Sequence, residues 1–424
     1  MSTLPPGPRA PVALQTLGWL ARPTPFSERL RARYGDTFTI RIAGEGKWVM
    51  VSSPEAVKQV FTASPQALHT GNEVLLPLLG SRSLLLMQES EHLAERRRLL
   101  PPFHGERVQA YGELITEIAE REIASWPAGA ELTVRPRMQA LTLELIMRAV
   151  LGVHDERLRE AIARMLAPTR DTRWAVLLIA LGYERARRLF HRMRAPVERM
   201  LDAEIARRRG NPGCRQGIPG AGGGPGAGDD MLSQLVGEMD DEQLRDELIT
   251  LLFAGHETTA TALAWALERL AHHPAAWARL KEREDDYVDA VAKETMRLRP
   301  VVPLVLRRVI EPTEIDGYEL PAGVSVAPNI LLLHRRPDLY PDPAAFRPER
   351  FLERPAGTYT WIPFGGGVRR CLGASLALLE MKAVLKVLAE RIGRLRPASP
   401  TAEPSTRAAI VTIVPARGGR VIPV

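Results

Sequence analysis

A single predicted helix sets the scale of this chain. It opens at Asp240-Asp241-Glu242, acidic as a helix N-terminus prefers, and runs to about His273, where Pro274 stops it. At 1.5 Å per residue its roughly 33 residues reach about 50 Å, enough to cross a whole globule, so the remaining chain has to pack around it. At its centre stands Ala254-Gly255-His256-Glu257-Thr258-Thr259. Gly255 costs about 1 kcal/mol against Ala in a helix interior, and an acid beside hydroxyls is a poor choice for a buried helix. Local rules broken in mid-helix mark a place where function is often found. The plain alternative is a polar stripe on a half-exposed helix.

The second constraint is Trp361-Ile362-Pro363-Phe364-Gly365-Gly366-Gly367-Val368-Arg369-Arg370-Cys371-Leu372-Gly373. Three consecutive glycines let the backbone take φ > 0 and come close to a flat ligand. From Leu372 onward apolar residues recur at helical spacing through Leu376, Leu379, Val384 and Leu388. Cys371 therefore lies where the free N–H groups of a helix start point outward, and those donors with the helix dipole favour a thiolate. Such a thiolate can be a nucleophile, a redox centre or a metal ligand. The bland alternative is a small cysteine in a turn.

Length and composition bound the rest. A chain of 424 residues makes two or three average domains or one large one. The 57 basic and 50 acidic side chains leave a formal charge of +7, a surplus that could serve nucleic acid, anionic lipid or an acidic protein. No RNP-like aromatic motif, zinc pattern or basic low-complexity arm supports nucleic acid. Two cysteines, Cys214 and Cys371, point to a reducing compartment. The N-terminal Met1 to Pro8 has no signal-peptide pattern, and no run reaches the roughly 20 apolar residues that span a bilayer; a soluble, cytoplasmic chain without a membrane anchor is expected.

In chain order, residues 1–20 read as a proline-rich lead. Thr37–Ile42 and Trp48–Val51 flank Gly44-Glu45-Gly46 as a hairpin. Ser53-Pro54 opens a short helix, and Thr70 to Leu86 reads as a greasy irregular loop. Glu91 to Leu100 reads as a basic helix, and Gln109 to Leu189 as mostly helical, with Trp174–Leu181 either core or lid. The Gly/Pro-rich residues 209–229 form a mobile surface connection. Val301–Leu306 and Ala409–Val411 read as strands.

Phe364 to Gly373 fits F-G-x-G-x-R-x-C-x-G and resembles the haem-binding loop of the cytochrome P-450 family. Three further motifs stand in that family's order. Ala254 to Thr258 resembles its oxygen-activation motif A/G-G-x-D/E-T; Glu294-x-x-Arg297 and Pro348-Glu349-Arg350-Phe351 resemble the parts of its structural triad, Glu294, Arg297 and Arg350. The resemblance covers essentially the whole chain. It implies one domain over 1–424, mainly α with a smaller β-rich lobe, with haem between the long central helix and the Cys-loop helix.

The resemblance also implies roles. Cys371 is the axial ligand of heme b (iron protoporphyrin IX), with Phe364, Gly365 and Gly373 around it. His92, where relatives carry Trp or His, joins Arg96, Arg307 and Arg369 as propionate partners. Ala254 and Gly255 leave room for oxygen; Thr258 supplies the alcohol and Glu257 the acid of a proton relay. Leu251, Val302, Val305 and Ile410 are expected to face a lipophilic substrate such as a fatty acid, terpenoid, steroid or polyketide. The implied reaction is insertion of one atom of O2, with electrons from NAD(P)H through a ferredoxin-type redox partner and its reductase, in a monomer. A hydrogen-peroxide-dependent peroxygenase and a non-catalytic haem-thiolate sensor stay open as alternatives; Glu257-Thr258 weighs against both.

Overall fold

The computed structural model describes residues 4–103, 105–153, 155–169, 183–210, 230–408 and 412–424. Its axis is the central helix Asp241–Ala271. Asp240 caps it, its side chain accepting the backbone N–H of Gln243 at 2.8 Å, which satisfies one of the donors a helix start leaves free. From Leu244 onward the helix is buried on nearly every side. Its neighbours are Val134–Leu151, Asp285–Leu298, Ala374–Arg391 and Tyr183–Arg209, and their apolar residues share one continuous core with it.

A smaller β-rich part stands against this helical body. Its main sheet has five strands in the order Thr37–Ile42, Gly46–Val51, Ser325–Pro328, Arg307–Val309 and Leu68–Thr70. Only the second and third strands run parallel. The hairpin turn has φ of +80° at Gly44 and +85° at Gly46, a conformation that glycine adopts without steric cost. One sheet face packs Val49, Val51, Val309 and Val326 against helix Pro54–Thr62, whose first turn is capped by Ser53 accepting from Ala56 N–H at 3.2 Å. The other face packs Phe38, Ile40 and Met50 around Trp19.

Three expectations need correction. The N-terminal lead is partly helical, since Val12–Ala21 forms a helix whose Trp19 is buried. Val301–Leu306 is not a strand: Val301 and Val302 bend, Pro303 has no N–H to give a ladder, Leu304 alone bridges to Asn329, and the strand begins at Arg307. Thr70–Leu86 contains a 3-10 turn at Glu73–Leu75 and a helical turn at Leu76–Leu79. Trp174–Leu181, Cys214 with nearly all of the Gly/Pro-rich connection, and Ala409–Val411 with Ile410 lie outside the described residues.

Candidate active site

The loop before Cys371 is held from below by a buried polar knot. Arg297 grips Glu294 with Nε at 2.7 Å and Nη2 at 2.8 Å, and Arg350 Nε reaches Glu294 Oε1 at 3.1 Å. Both Glu294 and Arg297 are fully buried. Of the two arginines, Arg297 alone grips Glu294 with two nitrogens. Arg350 spends its other nitrogens on the carbonyls of Pro341, Asp342 and Ala345, and Arg297 Nη1 on those of His334 and Pro343. The knot thus sews helix Asp285–Leu298 to the irregular segment that precedes the loop. His334 continues the seam by accepting Ile362 N–H at Nε2, 2.9 Å. Burial pushes its pKa down to about 3, so the ring stays a neutral acceptor.

The loop closes on itself where Cys371 N–H donates to the Phe364 carbonyl at 2.9 Å. Its glycines serve this packing. A Cβ on Gly367, where φ is +65°, would fall 2.3 Å from the Phe61 carbonyl oxygen, and one on Gly366 would strike the Phe61 ring at 2.3 Å. Helix Ala374–Arg391 follows, with Gly373 at its cap position. The surface of Cys371 opens into an interior cavity, deep in the protein. Burial pushes its thiol pKa up, opposed by the Gly373 N–H and by Arg96 and Arg370. A bound cation would favour the thiolate over the thiol.

That cavity measures about 630 Å³ and is walled mostly by apolar groups. Along one edge stand His92, Arg96, Arg307 and Arg369. Burial and its neighbour Arg369 hold Arg307 down to about 10. Burial with the charges of Arg369, Arg96 and Arg307 holds His92 at about 3. Arg96 and Arg307 make no ion pair with a carboxylate among the described residues; the Arg307 guanidinium donates to the Leu306 carbonyl, at 3.0 Å. Like charges so gathered in a poorly solvated place require an anion. A planar group with two carboxylates at that edge and a metal above Cys371 answers both demands, so the residues fit a haem.

The opposite wall is the centre of the central helix. Leu251, Ala254, Gly255, Glu257 and Thr258 border the cavity, as do Val302, Val305, Phe364, Gly365 and Gly373 from other segments. Thr258 Oγ1 donates to the Ala254 carbonyl at 2.7 Å. Gly255, expected to leave room for oxygen, borders the cavity beside Ile146 of helix Val134–Leu151. A Cβ there would lie 2.8 Å from Ile146 Cδ1.

The Glu257 carboxylate turns toward that same helix. Arg135 pairs with its Oε1, and Gln139 Nε2 donates to its Oε2 at 2.6 Å. Sequence reasoning missed Arg135 and Gln139; an Arg and a Gln four apart on a helix are too common to stand out. It also missed two buried acids on the cavity wall, Glu247 and Glu380.

A family model described as Cytochrome P450 matches residues 5–391. The chain belongs to the cytochrome P450 family. Among curated P450 proteins it is 40% identical to putative cytochrome P450 135B1 of Mycobacterium bovis, over 99% of this chain and 91% of that one. It is 36% identical to putative cytochrome P450 135A1 of Mycobacterium tuberculosis, over 99% and 95%. Among solved P450 structures, retinoic acid-bound cyanobacterial CYP120A1 superposes with a TM-score of 0.84 at 24% identity, covering 99% of both chains. CYP175A1 from Thermus thermophilus does so with a TM-score of 0.78 at 27% identity, covering 99% of this chain and 100% of that one. The fold is the P450 fold, the enzyme class is a monooxygenase, and the cofactor is a haem with a cysteine-ligated iron. Cys371 is the cysteine at the cavity.

Proposed function

We propose that this P450 inserts one atom of O2 into a lipophilic small molecule, by hydroxylation or epoxidation, with electrons from NAD(P)H delivered by a ferredoxin and its reductase. The observation that carries the substrate class is the apolar lining of the cavity beside the central helix, where Leu251, Ala254, Val302 and Val305 stand. When bound, haem with a thiolate ligand supplies oxygen activation and O–O cleavage.

The protein supplies position, protons and exclusion of water. His92, Arg96, Arg307 and Arg369 would hold the two propionates, which neutralises the cationic edge. Leu251, Ala254, Val302 and Val305 would orient the substrate. Thr258 holds a hydroxyl proton at Oγ1 on the cavity wall, parked on the Ala254 carbonyl. Glu257 stands next in line, and its partner Arg135 keeps some contact with solvent, which gives the relay an outer end.

Titration of the purified ferric protein with fatty acids, terpenoids, steroids and polyketides tests this reading through the haem absorption band. A low-spin to high-spin shift with one class names the substrate family; silence from all four, with a normal thiolate-type carbon monoxide spectrum, sinks the lipophile assignment. Thr258→Ala is expected to raise peroxide release per NADPH consumed several-fold. Unchanged coupling would remove Thr258 from the relay.

A further inference from the structure

Asn72 stands just before the turn Glu73–Leu75, the place where an asparagine side chain ordinarily accepts a backbone N–H. Here it makes no such cap. Its Nδ2 donates instead to the Leu85 carbonyl at 3.3 Å, which also receives Thr70 Oγ1 at 3.4 Å. A carbonyl accepts only from a donor, so the Leu85 contact decides which way the amide faces and turns Oδ1 to the other side. Oδ1 accepts from no described residue and is not enclosed by protein, so it keeps surface open to a small molecule.

Asn72 is half-buried and borders the cavity, as do Gly71, Leu75, Leu84, Leu85 and Leu306, so this acceptor belongs to an otherwise apolar stretch of wall. Strand Leu68–Thr70 fixes its place. Thr70 pairs with Arg307 across the ladder, and Gly71 N–H donates to the Leu306 carbonyl at 3.3 Å. Asn72 therefore follows directly on the cationic edge. Leu85 is held from the other side, where Ser83 Oγ accepts its N–H at 3.3 Å and stands 2.7 Å from Thr250 Oγ1 of the central helix. The amide is thus set in place before a ligand arrives, which spares the cost of ordering it on binding.

We propose that Asn72 selects the substrate by a hydroxyl group, its Oδ1 accepting the substrate O–H beside the cationic edge while the apolar body of the molecule fills the cavity. Among fatty acids, terpenoids, steroids and polyketides the neutral donor is a hydroxyl. The inference rests on the lipophile reading and narrows it, from any apolar molecule to a lipophilic alcohol.

The test compares dodecan-1-ol with its methyl ether, 1-methoxydodecane, in spin-state titrations of the haem-loaded native protein, Asn72→Leu and Glu45→Ala. The ether keeps the oxygen and lacks the donor. In an apolar pocket without an acceptor the ether binds the tighter, because the alcohol would leave its O–H unpaired. The native protein is expected to bind the alcohol at least as tightly. In Asn72→Leu the ratio of the two dissociation constants is expected to move about tenfold against the alcohol, the effect of one hydrogen bond. Glu45 also borders the cavity, with a carboxylate unpaired among the described residues; Glu45→Ala should leave the ratio within about threefold of the native one.

An unchanged ratio in Asn72→Leu overturns the proposal, and would be the result if Glu45 or a haem propionate receives the hydroxyl. Equal weakening of both ligands also overturns it, marking Asn72 as a brace for Leu85 alone. A shift toward low spin with the alcohol does so too, since the hydroxyl is then on the iron. Where Asn72→Leu does not fold, the native protein decides: an ether bound about tenfold more tightly than the alcohol sinks the idea. If neither ligand shifts the native band, the lipophile reading itself falls, and this inference with it.

Discussion

Glu257 is the residue whose surroundings say most about this site. A carboxylate buried to this degree persists only where its charge is met, and Arg135 with Gln139 meets it from a different helix. Removing one partner of such a pair leaves the other charge stranded. Arg135→Ala is therefore expected to cost about 3 kcal/mol in denaturant unfolding of the haem-loaded protein, with part of it recovered by Arg135→Lys. A cost within about 0.5 kcal/mol would show that Glu257 finds water instead. The cationic edge gives a second outcome at this scale. Arg307→Ala, which removes a buried guanidinium lacking a carboxylate partner, should speed haem transfer to apomyoglobin about tenfold or more, since a charge-assisted hydrogen bond contributes about 1.5–3 kcal/mol.

Between elements, the closest approach that matters is that of the central helix and Val134–Leu151. Gly255 faces Ile146 there, and a methyl group would need 2.8 Å to Cδ1 to become an ordinary contact distance. Overpacking of this kind costs about 1–3 kcal/mol, against which Ala returns about 1 kcal/mol of helix propensity. Gly255→Ala should thus lower stability modestly. Gly255→Ala combined with Ile146→Val, which lacks the offending Cδ1, should recover most of the loss in a double-mutant cycle. Additive losses would place the strain elsewhere. The same two helices carry Glu257 and its partners, so a shift of one against the other also moves the relay.

For the whole molecule, pH acts through buried groups of opposite sign. His334 is held at about 3 against an ordinary 6.5. The unfolded chain binds more protons between those values, so the His334 contribution is full above about 6.5 and is lost as pH falls, by about 1.4 kcal/mol per unit. Glu380 behaves in reverse. Burial raises it to about 8 from 4.5, opposed by its hydrogen bond to Thr259, so its contribution is full below 4.5 and is lost as pH climbs through about 8. Denaturant midpoints from pH 4 to 9 should show Glu380→Gln flattening the alkaline side and His334→Gln the acid side. A Glu380→Gln profile parallel to the native one would mean that Glu380 is ionised in the fold.

The sequence by itself determined the central helix, whose cap at Asp240 and stop before Pro274 are local chemistry, together with the spacing of the Cys loop and of Glu294 and Arg297. It also determined the family, because F-G-x-G-x-R-x-C-x-G, A/G-G-x-D/E-T and E-x-x-R are short-range patterns that survive without knowledge of contacts. Tertiary structure alone decided what each glycine is for. Gly255 answers to Ile146 and Gly367 to the Phe61 carbonyl, partners more than one hundred and three hundred positions away in the chain. It alone decided that Arg135 and Gln139 hold Glu257, and that Glu247 and Glu380 are buried acids on the cavity wall, since burial and pairing come from side chains far apart in sequence. The same reason explains Cys371. Its place before a helix was legible, but whether the dipole or desolvation governs the thiol depends on how deeply the fold encloses it.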